Sequence, residues 1–182
     1  MNERARAIGL RGSVFRNSTG LPHPEQRVTM RDLVTLASHI QREYPEFYRF
    51  YAESAFEWNG INQRNRNPLL SMNIGADGMK TGFTEESGYA IVGSTVVEGR
   101  RLIAAMSGLE NQRDRAQEAR KLLEWGRRAF QEVLLFDEGD TIGNVRLHGG
   151  LDFTVPVTTQ RGLTFLVPIG ATENLRARIV YQ

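Results

Sequence analysis

Residues 78–109 constrain the fold more than any other stretch of the chain. "GMKTGFT" is followed by "GYAIVGSTVV" and, after a turn at Glu98-Gly99, by "RLIAAMSGL". Runs rich in β-branched and aromatic residues, punctuated by glycine-containing turns, read as strands. The stretch predicts a meander of three strands. Residues 113–134 then return to helical spacing, with Ala116, Ala119, Leu122, Leu123, Phe130 and Leu134 on one apolar face beside Trp125. The charged face of that helix, rich in arginine and glutamate, reads as solvated.

Upstream, Thr29 with Asp32 three residues on is a capping-box variant, and Leu33, Leu36, Ala37 and Ile40 follow at i, i+3, i+4, i+7. This predicts an amphipathic helix ending near Tyr44 and Pro45. Asn2 to Ile8 reads as the tail of a helix stopped at Gly9, an odd opening, since helices rarely begin uncapped and end one turn later. "SVFRNSTGLPHPEQ" predicts a short strand and a turn-rich loop, and the segment 53–67, passing into "NGINQRNRNP", predicts an exposed loop. After Phe136 short alternating runs broken by Gly, Pro and Asn replace any helical period, up to the strand-like "LRARIVY". A domain boundary is expected near 136, dividing 1–135 from a β-rich 136–182. About 46 residues are too few to close a β-sandwich alone. The fold class is α+β.

Composition narrows the chemistry. Apolar content of 40% and charged content of 24% are those of a globular protein, and no run approaches the roughly 18 apolar residues of a membrane span. The net charge of +2 and pI near 9.2 come from scattered arginines without aromatic interleaving, which argues against nucleic acid as a partner. There is no cysteine, hence no disulfide, thiolate metal site or cysteine nucleophile. His23, His39 and His148 lie far apart in the chain and outside metal-ligand spacing, so neither zinc nor any other cofactor is expected. "MNERARAIGL" is charged where a signal peptide carries its apolar core.

Against 21 arginines the chain has two lysines, Lys80 and Lys121. Lys80 lies in "GADGMKTGFT", on a predicted strand beside Thr81 and Gly82. An ammonium and a hydroxyl there present a charge and a donor to a substrate carboxylate, while glycine lets a backbone N–H approach a developing oxyanion. K-T-G is also the third motif of the penicillin-recognising serine enzymes, after S-x-x-K and an S-D-N-type motif.

In "MNERARAIGL", "FRNSTGLP", "RDLVTLA", "WNGINQRNRNPLL", "GADGMKTGFT", "SGYAIVGST", "RLIAAMSGL" and the helix with "KLLEWG", the chain resembles the serine-type D-alanyl-D-alanine carboxypeptidases, the low-molecular-weight penicillin-binding proteins of peptidase family S11. The resemblance covers nearly the whole chain. It implies a partial β-lactamase/transpeptidase-like domain, an antiparallel sheet with packed helices, followed by a partial β-sandwich domain. It makes Lys80, Thr81 and Gly82 the third motif on the edge strand of the active site, with the backbone N–H of Phe83 an oxyanion donor where family members often carry histidine. Arg115, 35 residues beyond the motif lysine, falls where the family places an arginine that holds the substrate's terminal carboxylate. Arg113 is its competitor, and Arg115 is preferred.

Neither lysine completes S-x-x-K, because position 77 is Asp77 and position 118 is Glu118. Ser71-Met72-Asn73 matches S-x-N in letters, but only seven residues before Lys80, whereas the family places that motif far upstream. Both missing motifs are therefore expected to precede Met1, and the chain reads as a C-terminal portion, cut inside a helix and again within the β domain. The resemblance implies a parent protein of the periplasm or cell envelope, in some members membrane-anchored, that removes the terminal D-alanine of peptidoglycan pentapeptides through an acyl-serine and is inhibited by β-lactams. The 182 residues alone are expected to be inactive, and exposed apolar faces to favour self-association. Alternatives are a transpeptidase or β-lactamase parent, a non-catalytic peptide- or β-lactam-binding protein, and pairing with another chain that supplies the serine.

Overall fold

The computed structural model describes residues 1–149, 153–171 and 180. It contains two units, Met1–Gly126 and Arg127–Gln182.

In the first unit, helix α1 (Asn2–Ala7) ends where Gly9 takes φ +91°. The strand expected in "SVFRN" is reduced to a single bridge, Val14 to Arg27. The polar side chains of this loop satisfy its backbone locally: Asn17 Oδ1 accepts from Gly20 N at 2.8 Å, and Gln26 Oε1 from Arg16 N at 3.1 Å. Such bonds compete with a ladder. Helix α2 (Met30–Glu43) is capped by Thr29, whose Oγ1 accepts from Asp32 N at 3.1 Å. Pro45 opens α3 (Pro45–Tyr48), its missing N–H costing nothing at a first helical position, and a 3-10 turn follows at Arg49–Ala52.

Residues 53–67 are not simply a loop. Strands β1 (Ala55–Trp58) and β2 (Ile61–Arg64) form a hairpin around Asn59 and Gly60, at φ +50° and +73°. Asn-Gly between two-residue-spaced strands is the signature of a primed turn, and the sequence carried it. The register puts Phe56, Trp58 and Ile61 on one face, all exposed, Trp58 to 73%.

The predicted meander is present as β3 (Ala76–Thr84), β4 (Gly88–Val97) and β5 (Arg100–Leu109), all antiparallel in the order β3-β4-β5. Helix α4 (Gln112–Ala129) packs Ala119 and Leu123 against one face of the sheet, together with Ile91, Leu102, Ala104, Met106 and the fully buried Leu69. Leu69 belongs to a 3-10 turn, Pro68–Ser71, and reaches the sheet where Gly93 leaves room: a Cβ on Gly93 would stand 2.5 Å from Leu69 Cδ1. The opposite face carries Met79, Val92 and Ile103 against Ala37 and Ile40 of α2 and Tyr48 of α3. A sheet covered on both faces has no polar alternation, which is why these strands read as near-continuous apolar runs.

One guanidinium crosses all three strands. Arg101, on β5, meets Asp77 of β3 twice (Nη2 to Oδ2 2.7 Å, Nη1 to Oδ1 3.0 Å) and donates on the way to Ser94 Oγ of β4 at 2.6 Å. Tyr48 of α3 closes the cluster, its ring 5.1 Å from the guanidinium and its hydroxyl donating to Asp77 Oδ1 at 3.1 Å. Asp77 is the extra residue of a bulge, since Ala76 faces Thr95 and Gly78 already faces Ser94.

In the second unit the helix does not run on to 134. It stops at Ala129, and β6 (Phe130–Phe136) pairs antiparallel with β9 (Leu163–Pro168), while β7 (Thr141–Arg146) pairs with β8 (Thr154–Thr158). Phe130 and Leu134 fit the helical period, but β pairing of "FQEVLLF" across a non-local partner overrides it. Apart from Val180, the strand expected at "LRARIVY" lies outside the described residues.

Burial raises the pKa of Asp77, but hydrogen bonds and charge from Arg101, with bonds to Ser94 and Tyr48, outweigh it and hold the carboxyl below its usual value. Its contribution to stability is thus present above the ordinary carboxylate range and lost as pH falls below about 4. Arg101→Met removes the charged partner and leaves the burial, with only the Ser94 and Tyr48 bonds left to offset it. Urea denaturation should show this variant less stable by about 2 kcal/mol at pH 7, with the deficit shrinking below about pH 4. A pH-independent deficit would contradict the clamp.

Candidate functional site

Lys80, Thr81, Gly82 and Phe83 follow one another on β3, opposite Val92, Ile91, Ala90 and Tyr89 of β4. β3 is an edge strand of this sheet, so part of its backbone hydrogen-bonding capacity faces away from β4. Thr81 is buried; Lys80, Gly82 and Phe83 are exposed, Phe83 to 54%. Lys80 Nζ donates to the carbonyl of its neighbour Thr81 at 2.5 Å. Among the described residues no carboxylate pairs with it, so its charge is available to a ligand.

These four residues line a broad open cleft, and Arg115 lines it too. Asn111 sets up the arginine's place: its Oδ1 accepts from Asp114 N at 2.9 Å, capping α4, and its carbonyl accepts from Arg115 N at 3.1 Å. The guanidinium, 7% exposed as a residue, lies 5.6 Å over the ring of Tyr89, and its Nε is buried with no hydrogen-bond partner among the described residues. Burial lowers its pKa from the usual arginine value, partly offset by Tyr89. Arg113 is exposed and does not line the cleft.

All five expected positions therefore border one cleft. Tyr89, Arg27 and Arg66 are among the further residues that border it and that sequence reasoning did not single out. For Tyr89 the signal existed, because the short turn between Thr84 and Gly88 fixes Phe83 opposite Tyr89. For the two arginines nothing local separates them from their many solvated counterparts. Among the described residues there is no metal-binding cluster of His, Asp or Glu.

The loop of residues 15–28, with the start of α2, also lines the cleft. Asp32 anchors its root by accepting from Ser13 Oγ at 2.6 Å, Gly12 N at 2.9 Å and Arg11 N at 3.3 Å. The Ser13 bond above all, with those backbone bonds and against the effect of burial, lowers the Asp32 pKa.

Solved penicillin-binding proteins share this fold. The crystal structure of penicillin binding protein 5 from Haemophilus influenzae superposes with a TM-score of 0.82 at 34% identity, over 97% of this chain and 52% of that one. Penicillin-binding protein D2 from Listeria monocytogenes, in its ampicillin-bound form, matches with a TM-score of 0.63 at 28% identity, over 68% of this chain and 52% of that one. The family model for D-alanyl-D-alanine carboxypeptidases of peptidase family S11 matches residues 1–111, and the chain belongs to that family. It is 35% identical over 181 residues to the D-alanyl-D-alanine carboxypeptidase DacD of Escherichia coli K12, covering 98% of this chain and 46% of the relative. The chain spans about half the length of the curated relatives it matches.

Asp32→Ala should loosen one wall and leave the sheet intact. Amide exchange at Arg11 and Gly12 should accelerate severalfold while β4 and β5 keep their protection. Uniform acceleration would mean that Asp32 supports the whole unit instead.

Proposed function

We propose that these residues form the carboxylate-recognition side of a serine-type D-Ala-D-Ala carboxypeptidase that trims peptidoglycan pentapeptides. The observation that carries the reading is a single cleft bordered by the edge-strand Lys80-Thr81-Gly82 and by a buried Arg115 that has no acidic partner among the described residues. Lys80 and Thr81 supply charge and a donor to the terminal carboxylate, and Arg115 a planar pair of donors. The N–H of Phe83 stabilises the oxyanion that forms when the scissile carbonyl is attacked. Residues 1–135 belong in this reading to the catalytic domain and 136–182 begin a small β-rich domain. β-Lactams, as mimics of the same peptide, are its inhibitors, and its place of work is the cell envelope, on the periplasmic side. Among the described residues no helix is long and apolar enough to cross a membrane.

The reaction needs a nucleophile with a base to draw off its proton, and no serine stands three residues before either lysine. Residues 1–182 should therefore bind an acyl-D-Ala-D-Ala peptide without turning it over, and intact mass after incubation with penicillin should show no adduct. Lys80→Ala and Arg115→Ala should each weaken peptide binding by about tenfold or more by calorimetry. Flat titrations would remove the recognition reading, and a stoichiometric penicillin adduct would reveal a nucleophile within the chain.

A further inference from the structure

Buried arginines are ordinarily held by a carboxylate. Arg115 is not: among the described residues its one close electrostatic neighbour is an aromatic face, that of Tyr89, 5.6 Å away. This matters for an anion site. A carboxylate partner would fix the guanidinium but occupy its donors and cancel its charge, whereas a ring fixes the plane by cation–π attraction and leaves the donors free.

Tyr89 is itself held. It sits directly across from Phe83, with ring centroids 4.5 Å apart. On its other side the β4–β5 ladder is irregular: Tyr89 faces Leu109, yet Ile91 faces Met106, and the extra residue falls beside Gly108 at φ +82°. Such a bulge re-aims the side chains next to it. Ser107 Oγ and Gly108 N both donate to Ser87 O, at 2.9 Å each, tying the bulge to the turn that precedes Tyr89. Phe83 and Tyr89 both border the cleft beside Arg115.

We infer that Tyr89 is a positioning residue for Arg115, an aromatic rest that orients the guanidinium while keeping its hydrogen-bond donors unspent for an incoming carboxylate, with Phe83 bracing the ring. The inference rests on the carboxylate-recognition reading above for its functional meaning. The mechanical part, that the ring orders the arginine, stands without it.

Two measurements separate these levels. In the free protein, 15N relaxation and exchange of the Arg115 Nε–H report the order of the guanidinium. Tyr89→Leu should lower that order and speed exchange, and Tyr89→Phe should leave both as in the unsubstituted chain; an unchanged Arg115 signal in Tyr89→Leu overturns the inference whether or not any peptide binds. The second measurement compares an acyl-D-Ala-D-Ala peptide with its C-terminal carboxamide. Tyr89→Leu should lose about five- to tenfold in affinity for the carboxylate form with little change for the carboxamide, and Tyr89→Phe should retain the preference. Equal losses for both ligands would overturn the positioning role. If the unsubstituted chain shows no preference for the carboxylate, the recognition reading fails and the relaxation result alone decides. Should Tyr89→Leu not fold, Phe83→Ala, which trims an exposed ring, should give the same two effects in smaller degree, and their absence would count against the inference.

Discussion

A single arginine side chain running perpendicular to the strands holds the first unit in register. Main-chain bonds link β3 to β4 and β4 to β5, and Arg101 ties the two edge strands to each other, over the hydroxyl of the fully buried Ser94. Its anchor is Asp77, the residue that the β3 bulge leaves out of the ladder. Register in a sheet is a parity condition, since a slip of one residue exchanges the two faces. Lys80 and Thr81 lie three and four residues beyond the anchor, so a slip there would exchange the faces of their side chains and dismantle the cleft lining they share. The cleft's chemistry thus depends on a bond network that does not border it.

Much of this architecture could be read from residue patterns because it rests on local rules. The meander emerged from apolar runs and glycine turns, and α2 from its spacing and its Thr29 cap. Where local reading failed, a specific competitor won. Phe130 and Leu134 satisfy a helical period, yet a strand more than 25 residues later recruits them. The segment around Asn59-Gly60 was polar enough to pass for a loop, although the dipeptide itself encodes the hairpin. The short strand expected after Ser13 lost its ladder to side chains that bond their own backbone.

The candidate site was legible to a different depth. K-T-G and the spacing to Arg115 are linear features and survive translation into one cleft. The support of Arg115 is not linear: it depends on a ring 26 residues away and on a bulge whose extra residue belongs to a third strand. The spacing from Lys80 prefers Arg115 to Arg113, two residues apart on one helix, and of the two it is Arg115 that is buried and lines the cleft while Arg113 is exposed.

The scarcity of lysine, met first as a compositional oddity, has a practical meaning once both ammonium groups are placed. Lys121 is engaged on the surface of α4, 2.6 Å from Glu118, while Lys80, among the described residues, meets only its neighbour's carbonyl and lines the cleft. Apart from the α-amine, every site of amine-directed labelling in these 182 residues is one of these two. The cleft therefore carries a nearly private chemical handle, through which its occupancy could be followed in a protein whose bulk positive charge is guanidinium and inert to such reagents.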